Sequence, residues 1–416
     1  MDGGEGLRDE VIDEGSGMPI AVGIDVAKEF HWAAVVVAGS GKVLISRRVA
    51  NDPGDIAELI DRIVAAQAAH GSATVGLDVL GGIAGLVQAM LLEAGLRCVH
   101  VPGLAVNRAR RATTGGERKS DPKDAKVIAD QVRTRDDLRP VEQLSELDAE
   151  LRLLIGRRRD LGVDQTRRLV RLRDLLTSIH PGLERTVDVT GKTALWLLTR
   201  YVTAAEIRRA GRRGLMAHLR RLGNVRAAFV EGLADAALAA AQAQHVAVPG
   251  EGTAAQIVRE LATEALAAKD KIAQLDQRIA EVLDRHPDAA LVRSLPGMGV
   301  ILTAEFLAEA GGLTRFPTAD QLASAAGLAP VLKQSGKTRY LQRATAGDKA
   351  LKRVFYQSAF CALQRDPASR RFYARKRSEG KRHHQALIAL ARRRINVLHA
   401  ILRTRQPYHP QHTQAA

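Results

Sequence analysis

The chain predicts an α/β domain, then a long helical region, then a mostly helical C-terminal domain. Three observations carry this. Short runs rich in Val, Ile and Ala, punctuated by Gly and Pro, fill residues 20–101. From residue 145 onward apolar residues return at helical spacing over long stretches without proline. The charge is also lopsided: the whole chain carries +16, while residues 333–405 hold 20 Lys/Arg against 3 Asp/Glu. The remainder is close to neutral, so the C-terminal part reads as the segment that meets a polyanion. A solvated basic face typical of a high-GC genome is the plainer alternative.

At 416 residues the chain can build two or three cores. Aromatics make up only 3 %, so those cores are Ala/Leu/Val-rich. Two cysteines, Cys98 and Cys361, offer neither a zinc spacing nor a disulfide framework, which suits a reducing compartment. No signal pattern opens the chain, and no apolar run approaches the roughly 20 residues a bilayer requires. The expectation is a soluble, cytoplasmic, nucleoid-associated protein with no membrane partner.

Taken in order, residues 1–18 read as a polar, disordered tail. Strands are expected at 21–27, 31–38 and 43–49, a β-meander with a turn at Gly39-Ser40-Gly41-Lys42. Asn51 or Asp52 caps a helix that begins at Pro53 and runs to about His70. A fourth strand at 73–79, a helix at 83–94 and a fifth strand at 98–101 complete a domain over 19–140. Three antiparallel strands, a helix, then strand–helix–strand is the order of a ribonuclease H-like mixed sheet, although other mixed sheets share it.

Residues 141–290 read as a helical region. One helix is expected over 145–180 and another over 254–285, the second with a stripe of Ile257, Leu261, Leu266, Ile272, Leu275, Ile279 and Leu283. That spacing suits a coiled-coil or helical-hairpin seam, with a core-packing helix as the even alternative. A helical insert at 186–248 has no role the sequence reveals. The last domain, 291–405, opens with Ser294-Leu295-Pro296-Gly297-Met298-Gly299 before an apolar helix, and 406–416 form a tail. Gly297 and Gly299 can bring bare backbone N–H groups to a phosphate, as helix-hairpin-helix modules do, or can simply turn the chain. Phe355, Tyr356, Phe360, Phe372 and Tyr373 interleave with the bases and are either stacking platforms or core.

Asp25, in the first strand among apolar neighbours, gains nothing from packing there, so it needs a partner or a task. Asp78 ends the fourth strand, which neighbours the first in a sheet of this order. Asp121 and Asp124 sit three residues apart at a helix start, flanked by Lys119 and Lys123. Alone, that pair is a helix cap and a first-turn acid. With Asp25 and Asp78 at strand positions, four converging acids read as a metal site. Two Mg²⁺ ions about 4 Å apart would relieve their repulsion. In the basic domain Ser335-Gly336 lies in a loop flanked by Lys333, Lys337 and Arg339. A turn residue is the plain reading, and a nucleophile toward a phosphodiester is the other.

These segments resemble the DEDD transposases of the one-ten family of insertion sequences. The resemblance runs from Val22 to about Arg403 and rests on five pieces in fixed order. They are Gly23-Ile24-Asp25-Val26-Ala27-Lys28, Lys119-Ser120-Asp121-Pro122-Lys123-Asp124-Ala125, Leu295-Pro296-Gly297-Met298-Gly299, Gly327-Leu328-Ala329-Pro330 and Gln334-Ser335-Gly336. It implies a RuvC-like N-terminal domain with the tetrad Asp25, Asp78, Asp121 and Asp124, and a coiled-coil dimerisation segment. It also implies a C-terminal domain whose Ser335 forms a phosphoserine link to DNA. A non-coding RNA would guide the enzyme, and protomers would assemble as dimers or tetramers. The family commonly has Glu in a Glu-x-x-Gly pattern at the second acid, whereas this chain has Asp78 before Gly81-Gly82.

The expectation is therefore a Mg²⁺-dependent DNA transposase or recombinase. Lys119, Lys123, Gly297, Gly299, Lys333, Gly336, Lys337, Arg339, Arg343, Lys352 and Arg353 would hold nucleic-acid backbones. A metal-dependent nuclease that hydrolyses branched DNA, and a non-catalytic nucleic-acid-binding protein on a dead nuclease fold, are the rival readings.

Overall fold

β1 (Ile20–Asp25), β2 (Phe30–Val37) and β3 (Val43–Ala50) form the expected antiparallel meander. The computed structural model describes residues 18–112, 120–313, 315–336, 338–342 and 344–410. Both terminal tails therefore lie largely outside the described residues. The chain divides into two compact units, residues 1–144 and 145–416.

In the first unit α1 (Pro53–His70) starts where Asp52 accepts the N–H groups of Gly54 and Asp55. β4 (Ala73–Leu77) runs parallel to β1, α2 (Gly85–Glu93) follows a single 3-10 turn, and β5 (Arg97–His100) lies parallel to β4. The fourth strand is shorter than expected, so Asp78 stands just past its end. Two elements were not anticipated: α3 (Gly103–Arg111), entered at Pro102, and β6 (Arg139–Pro140), antiparallel to β5. Between them lies α4 (Asp121–Thr134). The sheet order is β3-β2-β1-β4-β5-β6, a six-stranded mixed sheet with helices, consistent with the expected ribonuclease H-like domain.

Alternation decides which face each strand residue serves. Val22, Ile24, Val75 and Leu77 are fully buried against Ile56, Leu59 and Ile63 of α1. Ala21 faces the other way, clustering with Ala129 of α4. Gly23 and Gly76, cross-strand partners on β1 and β4, share that second face. A Cβ on Gly23 would stand 2.1 Å from the Ala125 carbonyl oxygen and 2.3 Å from the Ala129 nitrogen, and one on Gly76 would stand 2.4 Å from Val132 Cγ2. This glycine pair is a trough, and α4 lies in it.

Among its described residues, the second unit has helices and one hairpin as its regular elements. α5 (Glu146–Ile179) is capped by Ser145. The insert folds as α6 (Pro181–Thr186), α7 (Lys192–Leu198), α8 (Ala204–Arg220) and α9 (Ala227–Ala243). α10 (Glu251–Leu283) returns antiparallel along α5. The pairing runs from Asp148–His286 through Arg158–Asp276 to Arg168–Glu264, and buried Gln165 donates to the Ala265 carbonyl at 3.2 Å. The expected stripe on α10 needs correction. Ala255, Val258, Ala262, Ala265 and Ala268 are buried, whereas Ile257 is 40 % exposed. Small side chains let two helices approach closely, so the seam follows alanine rather than the larger residues. Of the expected stripe, only Ile279 and Leu283 are fully buried.

Beyond α10 come α11 (Ala289–Ser294), α12 (Val300–Ala310), α13 (Ala319–Ala325), β7 (Val331–Ser335), β8 (Thr338–Gln342), α14 (Lys349–Arg365), α15 (Pro367–Ser378) and α16 (His383–Thr404). Two cores serve this unit. One joins the insert to the nearer halves of α5 and α10, and the other gathers α11–α14 and α16.

Candidate active site

The glycine trough also sets where the acids stand. Each strand reads glycine, leucine or isoleucine, aspartate: Gly23-Ile24-Asp25 on β1 and Gly76-Leu77-Asp78 at the end of β4. Ile24 pairs with Leu77, so Asp25 and Asp78 follow at adjacent strand ends, on the face where α4 lies. The two ends are joined by a bond from Val26 N–H to Asp78 Oδ1 at 3.1 Å. Asp124, in the first turn of α4, is 3 % exposed. Burial pushes the Asp78 carboxyl above its ordinary value; the Val26 N–H and nearby His100 oppose the rise, and the charge of Asp124 adds to it. The sheet thus brings Asp25, Asp78 and Asp124 to one corner.

Asp121 is on the same helix but exposed, one turn ahead of Asp124. It lines a cleft of about 440 Å³ with Lys28, Glu29, Phe30, Trp32 and Arg48. His31, 1 % exposed, closes the floor and accepts the Ala27 N–H through Nδ1 at 3.3 Å. Burial holds its pKa below the usual imidazole value. Asn51 Nδ2 donates to the Lys28 carbonyl, fixing the β1–β2 connection beneath the cleft.

In donor chemistry the acids suit a hard divalent cation, because they offer carboxylate oxygens alone. A cation would also remove the cost that keeps Asp78 raised. The charge now standing at Asp124 is instead Arg110, whose Nη1 bonds both carboxylate oxygens at 2.9 and 2.7 Å. Among the described residues, no three acid, His or Cys side chains converge on one ion position. Arg110 was missed because α3 was missed. Its signal was present in the basic last turn, Arg108, Arg110 and Arg111, which suits a helix C-terminus.

Ser335 is the last residue of β7, not a loop residue. It pairs with Thr338, and Gly336 follows it in a turn. Every residue of both strands is exposed, including Lys333, Arg339, Leu332 and Leu341. The excursion leaves and rejoins the helical core at a neck made by two glycines. A Cβ on Gly347 would stand 2.5 Å from Gly327 N, and φ is +60° at Gly327 and +112° at Gly347, a region L-residues avoid. Asp348 N–H to the Ala325 carbonyl at 2.6 Å and Lys352 Nζ to the Gly327 carbonyl at 3.1 Å pin the neck. A cavity of about 710 Å³ opens beside it, lined by Leu328, Lys352, Lys381, His384 and Arg392 among others.

Several expected nucleic-acid contacts have other work. Arg353 pairs with Glu305, which is 3 % exposed, so this guanidinium compensates a buried charge. Lys352 serves the neck. Gly297 packs on α14, where a Cβ would stand 2.5 Å from the Ser358 carbonyl oxygen, while Gly299 is exposed with open space around it. The same turn is tied down by Arg394, which bonds the Pro296 carbonyl and, at 2.7 Å, Ser358 Oγ. Burial pushes Arg394 down to about 10. Phe355 is core, edge-on to Phe306, and Phe372 is flanked by Arg375, Lys376 and Arg393. Lys123 lies half-buried on α4. Lys119, Lys337 and Arg343 lie outside the described residues.

A family described as Transposase matches residues 22–181, and one described as Transposase IS116/IS110/IS902 family matches residues 289–374. The first span contains the four acids and the second contains Ser335. The chain is 43 % identical over 401 residues to the insertion element IS900 uncharacterized 42 kDa protein of Mycobacterium paratuberculosis, covering 96 % of this chain and 99 % of that protein. It is 42 % identical to the insertion element IS116 uncharacterized 44.8 kDa protein of Streptomyces clavuligerus, covering 94 % and 96 %. A shorter likeness, 32 % over 146 residues, links it to the pilin gene-inverting protein of Moraxella bovis, covering 33 % of this chain and 45 % of that protein.

Proposed function

Because the chain belongs to the IS116/IS110/IS902 family of transposases, we propose that it cuts and rejoins DNA with a metal-holding acid set and a serine nucleophile. Membership makes it a DNA transposase and implies dependence on a divalent metal. Asp25, Asp78, Asp121 and Asp124 would hold that metal, as two Mg²⁺ ions. Bound there, the metal would polarise phosphate oxygens and offset developing charge.

Ser335 performs the exchange. Its Oγ loses its proton and bonds to phosphorus, while the bond from phosphorus to a deoxyribose oxygen breaks and that oxygen takes up a proton. Attack by another strand's hydroxyl then breaks the phosphoserine bond and returns Oγ–H. Lys333 and Arg339 on the exposed hairpin, with Lys381 and Arg392 beside its base, meet nucleic-acid backbones. A non-coding RNA supplies sequence recognition, and the assembly is a homo-oligomer. Leu153, Val163 and Val170, 76 %, 45 % and 52 % exposed along α5, support a second copy packing on this helical arm. Among the described residues no helix is long and apolar enough to cross a membrane.

One observation carries the reading: two parallel strands each present a glycine and then, two residues on, an aspartate, with α4 seated between them. The test is to incubate the enzyme with element-end DNA, its RNA and Mg²⁺, and to trap protein-linked DNA under denaturing conditions. Wild type is expected to give an adduct and Ser335→Ala none. Cleavage by Ser335→Ala at the wild-type rate would make the chemistry hydrolytic and sink the serine.

A further inference from the structure

We propose that the cavity at the glycine neck is one end of a groove that holds an unpaired strand of DNA beside the serine hairpin. The groove needs neither the metal nor the serine. Only the choice of DNA as its strand rests on the role proposed above for Ser335.

Helical spacing builds the two walls. Lys349, Lys352 and Tyr356 recur on one face of α14, and His384, Ile388 and Arg392 on one face of α16. Between these faces the cavity of about 710 Å³ at the neck adjoins a second of about 340 Å³, and both are lined by Leu328, Lys352, His384 and Ile388. Leu328 and Ile388 give the shared stretch an apolar floor, which Ala329, Pro330 and Ala389 extend at the neck. Tyr356, half-buried, stands in the second cavity. Among the described residues the side chains of Lys349, Lys381 and His384 make no hydrogen bond or ion pair. Lys352 gives one of its three donors to the Gly327 carbonyl and keeps two. Glu379, the acid in the lining, is already bound by Lys376 at 2.8 Å.

An apolar floor under a cationic rim selects the ligand. A duplex turns its phosphates outward and keeps its base faces stacked inside, so the floor would meet nothing apolar. An unpaired nucleotide offers a flat ring face and a phosphate together, which the floor with Tyr356 and the rim with Lys349 and Lys381 complement. Cavities of about 300–1,000 Å³ enclose ligands of roughly that size. The position supplies the use. Pro330 lines the groove, and Val331 after it begins the strand that ends in Ser335. A strand held there lies beside the hairpin that brings the nucleophile. Cutting and rejoining require a strand parted from its partner, and the groove keeps it parted.

The test is fluorescence anisotropy with full-length protein and no divalent metal, using a short labelled DNA strand, the duplex of the same sequence and the matching RNA strand. Tyr356→Leu keeps bulk but removes the ring, and should weaken the DNA strand roughly tenfold, the scale of one lost base stack. Tyr356→Phe should bind as wild type does, and duplex affinity should stay unchanged in both. Lys349→Gln and Lys381→Gln should each reduce the slope of log affinity against log salt by about 0.7. Ile388→Lys gives the sharpest sign: it adds a charge that any plain basic face would welcome, yet it spoils the floor and should weaken the strand. Circular dichroism melting checks that each variant folds, and Tyr356→Phe and Lys381→Gln carry the test if Tyr356→Leu or Ile388→Lys does not. The proposal is overturned if Tyr356→Leu and Ile388→Lys bind the strand at least as tightly as wild type, or if duplex weakens as much as strand, for the face would then hold phosphates alone. Tenfold preference for the RNA strand would also overturn it and make the groove an RNA site. Ser335→Ala should bind the strand as wild type does, so loss of its covalent adduct bears on the serine and loss of strand binding in the other variants bears on the groove.

Discussion

Asp124 is 3 % exposed and rests on a six-stranded sheet, whereas Ser335 ends a strand whose every residue is exposed. Asp78 and Asp124 sit where backbone meets backbone, with α4 pressed into a glycine trough, one carboxylate held by the Val26 N–H and the other by the Arg110 guanidinium. The serine rides on a two-stranded hairpin, an element barely stable on its own in water, joined to its helices through one narrow neck. The difference fits the roles proposed for each. Like charges must be forced together and kept there, which takes burial and rigidity. A nucleophile must be carried to a phosphate, which takes reach, and the low-stability parts of a fold supply it.

The largest effect that would break this contrast is at the trough. Gly23→Val places side-chain atoms where α4 backbone already stands, and we expect a loss of more than about 3 kcal/mol in urea unfolding, above the usual overpacking range. A loss under about 1 kcal/mol would mean that α4 is not seated as described. The next is a pH effect at Asp78. Its pKa is raised in the folded protein, so the native state binds the proton more tightly than the unfolded chain does. Stability should therefore fall as pH rises from about 3.8 through the folded pKa. Asp78→Asn, which keeps an acceptor for the Val26 N–H, should flatten that slope and melt higher than wild type at neutral pH. An unchanged slope would place the charge stress elsewhere. The smallest effect is on the hairpin, where Ser335→Ala and Leu341→Ala should each leave unfolding within about 0.5 kcal/mol of wild type. A larger loss would show that the hairpin is part of a core.

Much of the first unit was legible because its signals are local. The meander, the Asp52 cap with Pro53, and the adjacency of the first and fourth strands all follow from short patterns. What escaped notice was of other kinds. Pro102-Gly103 stops a strand and also starts a helix, and only the first meaning was read, which hid α3 and with it Arg110. The hairpin escaped because Val331 to Ser335 neither alternates nor concentrates β-branched residues. The seam of α10 was misread because alanine adds little to an apolar pattern yet sets how near two helices come. Arg353 and Lys352 looked like phosphate contacts because a sequence displays a charge without the buried acid or carbonyl it faces.

The glycine neck at Gly327 and Gly347 has a consequence for descent as well as for motion. A segment that enters and leaves its host through one doorway can be lengthened, shortened or rewritten while α13 and α14 keep their places, since loop length itself costs little. On the reading proposed for Ser335, such changes are bounded by one requirement, that the serine still reaches its phosphate, so the tolerance is one of length around the hairpin and not of the hairpin's own residues.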